Sequence, residues 1–334
     1  MKKIIVDAMG GDNAPLEIVK GAALAVEELD VHIVLVGDIN KINKVIYDNG
    51  LSRRNIQVLH TEKVIGMEDE PVSVVREKRD SSLGIALKMF ADDKSGEYGA
   101  LVSAGNTGAL LAGATLRVKC LPEIRRAAIG VVLPYERKTL LIDAGANIDI
   151  KAEYLKQFGF MGSVYMNKIL NIDSPMVGLV NNGAEPSKGL PEYIEAYKLL
   201  SETKTINFRG NVEGREIATN PSDVLVTDGF TGNIILKLTE GCGIFMGKKL
   251  KGMFVKNLLT KFSAGLLRSS LRDFKKSFDQ SEYGGAPFLG LRKTVIKAHG
   301  SSDAKTIKNA IRQAKFCFDV NLVEQIEAES MINK

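Results

Sequence analysis

Short apolar runs rich in β-branched residues recur along the chain, and most lead through a Gly, Asn or Ser turn into a stretch with helical spacing. Residues 4–6 precede 15–28, residues 33–36 precede 39–49, and residues 100–103 precede 107–118. Further runs at 176–180, 223–227 and 294–298 each end in a turn that contains glycine. Strand, turn and helix in that order are the sequence form of βα units around a parallel sheet. One pair breaks the rhythm. Residues 127–134 and 139–142 flank Tyr135-Glu136-Arg137-Lys138, which predicts a hairpin and so a mixed sheet. The pattern predicts an α/β chain built on a mostly parallel mixed sheet. With no linker, fixed-period repeat or low-complexity tract, it reads as one unit over 1–334 or two fused lobes.

The turns carry the candidate chemistry. In an open α/β sheet, ligands gather beyond the carboxyl ends of the strands, where helix N-termini present free N–H groups. The first turn, Asp7-Ala8-Met9-Gly10-Gly11-Asp12, reaches Pro15, with Asn13 placed to cap the helix. Ser103-Ala104-Gly105-Asn106-Thr107-Gly108, Asp143-Ala144-Gly145-Ala146-Asn147 and Asp228-Gly229-Phe230-Thr231-Gly232-Asn233 follow the same plan, and His299-Gly300-Ser301-Ser302-Asp303 ends a fifth strand. One such turn is ordinary loop chemistry. Several predict one edge lined with anion-binding groups. Between Asn181 and Gly189 a further loop offers a single cation, Lys188. Lys78 and Arg79 precede a helix that Ser81 or Ser82 can cap, and they read equally as ligand groups or as a solvated basic helix end.

No turn has the dinucleotide or P-loop glycine spacing, so no nucleotide cofactor is indicated. A small anion or a pantetheine-like group fits several short turns better. Three scattered cysteines and three scattered histidines predict no metal site, and no apolar run is long enough to span a bilayer. The short Lys2-Lys3 start runs straight into a strand, which predicts a cytoplasmic protein with no signal segment. The formal net charge of +5 is uneven. Between Lys248 and Lys276 stand nine basic residues and one acidic residue, Asp273, so this segment supplies the whole positive excess.

Together these stretches resemble the PlsX family of phosphate acyltransferases of bacterial phospholipid synthesis. VDAMGGDNAP (6–15), REKRDSSL (76–83), SAGNTGALLAGA (103–114), DAGAN (143–147), GNVEGREI (210–217), DGFTGNIILKLTEG (228–241), YGGAPFLGL (283–291) and AHGSSDAKTI (298–307) carry the resemblance in order along nearly the whole chain. The loop bearing Lys188 is similar too, departing at Leu190-Pro191. The resemblance implies transfer of a long fatty acyl group from acyl carrier protein to inorganic phosphate. The acyl phosphate would feed the glycerol-phosphate acyltransferase of the membrane. It also implies a three-layer α/β/α fold with a mostly parallel mixed sheet, similar to the isopropylmalate dehydrogenase and phosphotransacetylase type, a homodimer, and no metal, cofactor or nucleic-acid partner. For that reaction Lys188, Asn233 and His299 are the catalytic candidates: a fixed cation, an oxyanion donor (shared with Asn106) and a proton carrier, although a structural role for His299 stands equally open. Asp7, Gly10, Gly11, Asp12, Ser103, Asn106, Thr107, Gly108, Asp143, Asn147, Asp228, Thr231 and Gly232 are the candidate substrate and phosphate contacts.

The basic segment reads as an amphipathic tip over 248–279. Phe254, Leu258 and Phe262 share helical spacing, Ser263-Ala264-Gly265 forms a bend, and Leu267, Leu271, Phe274 and Phe278 resume the stripe beside Arg268 and Arg272. A peripheral membrane surface, a docking patch for acidic carrier protein and plain packing compete, in that order. Two functions of other kinds remain: a short-chain phosphotransacetylase acting on acyl-CoA, and a non-catalytic phosphate- or lipid-binding scaffold.

Overall fold

The computed structural model describes residues 2–135, 137–219, 222–270, 272 and 284–333. Eleven strands form one sheet in the order β3-β2-β1-β4-β11-β10-β5-β6-β9-β7-β8. The first half holds β1 (Lys3–Asp7), β2 (His32–Gly37), β3 (Ile56–His60), β4 (Tyr98–Ser103) and β11 (Thr294–Lys297), all parallel. The second holds β6 (Thr139–Ile142), β7 (Met176–Asn181), β8 (Asn207–Glu213) and β9 (Val224–Val226), also mutually parallel. Between them, β10 (Ala286–Leu289) and β5 (Ala128–Leu133) are antiparallel to each other and to their outer neighbours. The 127–142 segment is the expected hairpin, and the sheet is mixed but mostly parallel.

Two apolar clusters cover the two faces. On one face α1 (Leu16–Leu29), α5 (Ala152–Leu170), α6 (Pro191–Glu202), α9 (Ala304–Asp319) and α10 (Leu322–Ile332) bury residues such as Ile18, Leu155, Phe158, Tyr193 and Ile311 against alternate strand positions. On the other, α3 (Ser82–Asp92), α4 (Thr107–Gly113) and the start of α7 (Gly229–Phe254) pack over Ile5, Leu101, Ile129 and Leu141. The short helix α2 (Ile39–Asp48) is capped by Asp38, whose carboxylate accepts the Asn40 N–H at 2.9 Å. The inner strands are buried from both sides, which is why they read as continuous apolar runs, whereas the edge strands β3 and β8 are partly exposed.

The net of three antiparallel steps, β11 to β10 to β5 to β6, is a reversal of strand direction between the two halves. Turns after β1, β4 and β11 therefore leave the sheet one way, and turns after β6, β7 and β9 leave it the other way. The expectation of one shared edge is corrected to two clusters.

Candidate functional site

The first cluster joins the turns after β1, β4 and β11. A Cβ on Gly10 would stand 2.5 Å from Asp7 Oδ2 and 2.7 Å from the Gly105 nitrogen, so glycine is what lets the two backbones meet. The Asp7 carboxylate is buried and accepts Ser103 Oγ at 2.8 Å and the Met9 N–H at 3.3 Å. Burial pushes its carboxyl up, against the hydroxyls of Ser82 and Ser103, the Met9 N–H and the charge of Lys297. Ser82 Oγ weighs on Asp7 by proximity alone, since it lies outside hydrogen-bond geometry. The fifth turn closes onto the first: Asp12 N–H donates to Gly300 O at 2.8 Å, and Asn13 Nδ2 to Ser301 O at 3.2 Å. Asn13 is thus a bridge, and α1 begins without the side-chain cap expected of it. His299 is exposed, with Nδ1 2.8 Å from Ser301 Oγ and 3.3 Å from the Ser301 N–H.

Lys297 is the group the sequence reading missed. It ends β11 and donates to the carbonyls of Ala298 and, at 3.2 Å, Ala104. Burial brings its ammonium down to about 8, against the pull of Asp7 and Asp12. A lysine at a strand end looks like a solvated charge; only the packing of three turns around it shows otherwise.

Asn106 also changes role. Its Nδ2 donates to Gly66 O at 3.2 Å and Met67 O at 3.0 Å, and its Oδ1 accepts the Ala109 N–H to cap α4. Its amide is engaged on both sides, capping α4 and holding the carbonyls of Gly66 and Met67. Thr107 beside it is exposed, and Gly108 is partly so. Ser81 caps α3, accepting the Gly84 N–H at 3.2 Å, and Lys78 is held by Asp69 at 2.5 Å, so this lysine is a structural partner before it is a ligand group.

The second cluster joins the turns after β6 and β9 with the loop after β7. Asp143 is fully buried, and its two oxygens collect N–H groups from Ile129 (2.9 Å), Gly145 (3.2 Å), Ala146 (3.0 Å) and Asn147 (2.7 Å), plus Asn147 Nδ2 (2.9 Å). Burial pushes its carboxyl up and these donors oppose the shift. Asn147 Nδ2 also reaches Ala127 O at 2.8 Å. Asp228 caps α7 by accepting the Thr231 N–H at 2.9 Å. Gly229 and Gly232 bring α7 onto the Asp143 turn: added Cβ atoms would stand 2.7 Å from the Asn147 nitrogen and 1.9 Å from Asp143 O. Gly145, at φ +139°, lies under Asn233, whose Cβ is 3.6 Å from where a Cβ on that glycine would be. Asn233 itself is exposed and Thr231 partly so. Lys188 is exposed on its loop, which Asn181 Nδ2 holds by donating to Lys188 O at 3.0 Å.

Thus Lys188, Asn233 and Thr231 belong to one cluster and His299 to the other. Among the described residues no hydrogen bond or ion pair joins the two. The polar side chains of Asp7, Ser103, Asp143, Asn147 and Asp228 are engaged within and between their turns, which they organise. Each carboxylate accepts N–H groups of its own glycine turn, and the Asp-x-x-Gly, Asp-x-Gly and Asp-Gly spacings at Asp7, Asp143 and Asp228 carry that signal.

Beyond Thr239, α7 leaves the sheet. Ile244, Phe245 and Met253 on it and Val255 just after it are exposed, as are Leu259, Phe262 and Leu266 on α8 (Leu258–Leu266). The bend comes at 255–257, where Asn257 and Thr260 form a reciprocal cap, and helix continues through 263–265, where the bend was expected. Phe262 and Leu267 are 69% and 46% exposed, and Arg268 and Arg272 are exposed beside them. The Leu258 side chain, Leu271, Asp273 and the rest of the predicted stripe through Phe278 lie outside the described residues. Among the described residues no helix is long and apolar enough to cross a membrane.

A family model described as "Fatty acid synthesis protein" matches residues 2–325. The phosphate acyltransferase of Thermoanaerobacterium thermosaccharolyticum is 45% identical over 98% of this chain and 96% of that protein. That of Alkaliphilus oremlandii is 46% identical over 97% of this chain and 96% of its own. Among solved structures, a phosphotransacetylase from Streptococcus pyogenes superposes with a TM-score of 0.63 at 18% identity, over 97% of this chain and 94% of that one. This last likeness is one of fold.

Proposed function

Because this chain belongs to the fatty acid synthesis protein family, we propose that it is a phosphate acyltransferase that moves a long-chain acyl group from acyl carrier protein to inorganic phosphate. Full-length similarity to phosphate acyltransferases carries the reaction class. The carrier as donor, the membrane surface and a homodimer are our finer reading. A phosphate oxygen attacks the thioester carbon, the tetrahedral oxyanion collapses, and the C–S bond breaks. The carrier thiolate leaves, and the proton that the attacking hydrogen phosphate gives up reaches it through water, yielding acyl phosphate and free carrier. Phosphate is nucleophilic at neutral pH, so the step needs orientation and oxyanion stabilisation more than a base. His299 can therefore stand apart without stopping it.

In this reading Lys188 holds the phosphate, and the Asn233 carboxamide and the positive end of α7 meet the oxyanion. Gly10, Gly11, Asp12, Thr107 and Gly108 are kept as proposed substrate contacts apart from the reacting phosphate. Asp7 and Asp12 stand there against the single charge of Lys297, a poor balance for a phosphate dianion. Adding phosphate to the enzyme with a long-chain acyl carrier protein should release free carrier, with acyl phosphate trapped by hydroxylamine. Release without phosphate, or equal turnover of short-chain acyl-CoA, overturns the donor assignment.

The arm of α7 and α8 is read as a membrane-surface tip of a cytoplasmic, peripheral enzyme, because it exposes apolar side chains among basic ones. Each buried Phe or Leu contributes about 1.5–3 kcal/mol. Phe262→Glu with Leu267→Glu should therefore lower co-sedimentation with anionic vesicles by at least about tenfold. Unchanged vesicle binding with weaker carrier binding would move the arm to carrier docking.

A further inference from the structure

Tyr193 lies in the first turn of α6, five residues after Lys188, and its ring is buried. Its hydroxyl donates to Asp228 Oδ2, accepts the Asp228 N–H at 3.0 Å and lies 3.3 Å from Thr227 Oγ1. The other oxygen of Asp228 caps α7, the helix that presents Asn233. One carboxylate is thus shared between the helix that follows the lysine loop and the helix that carries the amide.

The remaining tethers of that loop run elsewhere. Asn181 holds Lys188 O, and Asn211 Nδ2 donates to Glu185 O at 2.8 Å, both from strands β7 and β8. Among the described residues, the hydrogen bonds between α6 or its loop and α7 or its cap are those of Tyr193. The geometry points to Tyr193 as a positioning residue that fixes Lys188 relative to Asn233 during acyl transfer to phosphate. The inference rests on Lys188 and Asn233 forming the acyl-transfer site. The electrostatics agree with a committed bond. Burial and the Asp228 charge push the Tyr193 hydroxyl up to about 12. Burial works to raise Asp228, but Tyr193 and the Thr231 N–H outweigh it and hold its carboxyl below the ordinary range.

Tyr193→Phe keeps the packed ring and removes the strut. In the full chain, single-turnover acyl transfer to phosphate should fall about tenfold or more, the scale expected when reacting groups are misplaced by a fraction of an ångström to an ångström. In a Lys188→Ala background the same change should have no further effect, because the strut acts through the lysine. An equal loss in both backgrounds shows a merely structural role and overturns the inference, as does a Tyr193→Phe enzyme with full activity. Full activity of Lys188→Ala alone is a different result, since it removes the site reading itself. If Tyr193→Phe does not fold, Asp228→Asn keeps an oxygen for the Thr231 N–H and breaks the charged bond to Tyr193. It should show the same dependence on Lys188, and independence from it overturns the inference.

Discussion

Lys188→Ala and Asn233→Ala should each lower phosphate-dependent release of free carrier by about 10²- to 10³-fold, the cost of removing one preorganised group, the cation that holds the phosphate or the donor to the developing oxyanion. Both side chains are exposed, and neither completes a buried network, so circular dichroism and melting temperature should stay near those of the parent. The combination separates them from the aspartates. Asp143→Ala removes the acceptor of N–H groups from Ile129, Gly145, Ala146 and Asn147 and would lose the fold with the activity. Lys188→Arg is informative as well: it keeps the charge, but its planar fork places that charge differently. Normal turnover in both alanine variants would move the reaction away from the α7 edge and leave the first cluster, with Lys297 and His299, as the place to look.

Much of this was legible in the sequence for a simple reason. Buried parallel strands are apolar throughout, so 4–6, 33–36 and 100–103 announce themselves, and glycine turns mark where each strand ends. Three further strands lack that signature, and the first of them, 56–60, sets Gln57 and His60 among its apolar residues at the sheet edge. Residues 207–213 mix Asn, Arg and Glu at an edge, and 286–289 hide behind Gly284, Gly285 and Pro287. Pairing order is not local either. The 127–142 hairpin shows that direction changes once, but whether β9 and β7 continue from β6 or join the first half depends on contacts distant in sequence. That is why two clusters were read as one edge. The aspartates were legible as turn residues, yet their orientation was not, since an inward carboxylate and an outward one occupy the same place in the sequence.

Gly232→Ala should destabilise the protein by about 3 kcal/mol or more, although local propensity argues the opposite way. Within a helix, alanine is favoured over glycine by roughly 1 kcal/mol. At this position a Cβ would stand 1.9 Å from Asp143 O, an approach no side-chain movement can relieve because the opposing atom is backbone. The carbonyl cannot retreat. Asp143 N–H donates to Thr227 O at 3.0 Å, and Ala144 N–H to Ile129 O at 2.9 Å, so its peptide is tied to β9 and β5. The helix must instead lift from the turn, losing the Asp228 cap and carrying Asn233 with it, so residual folded enzyme should also be slow. Gly241 and Gly247 supply the control. They sit on the same helix with nothing within 4 Å of an added Cβ, and alanine there should raise stability by up to about 1 kcal/mol. Urea denaturation of the three variants gives the comparison. A Gly232→Ala protein as stable as Gly241→Ala would mean that α7 does not rest on the Asp143 turn, and the placement of Asn233 would fall with that contact.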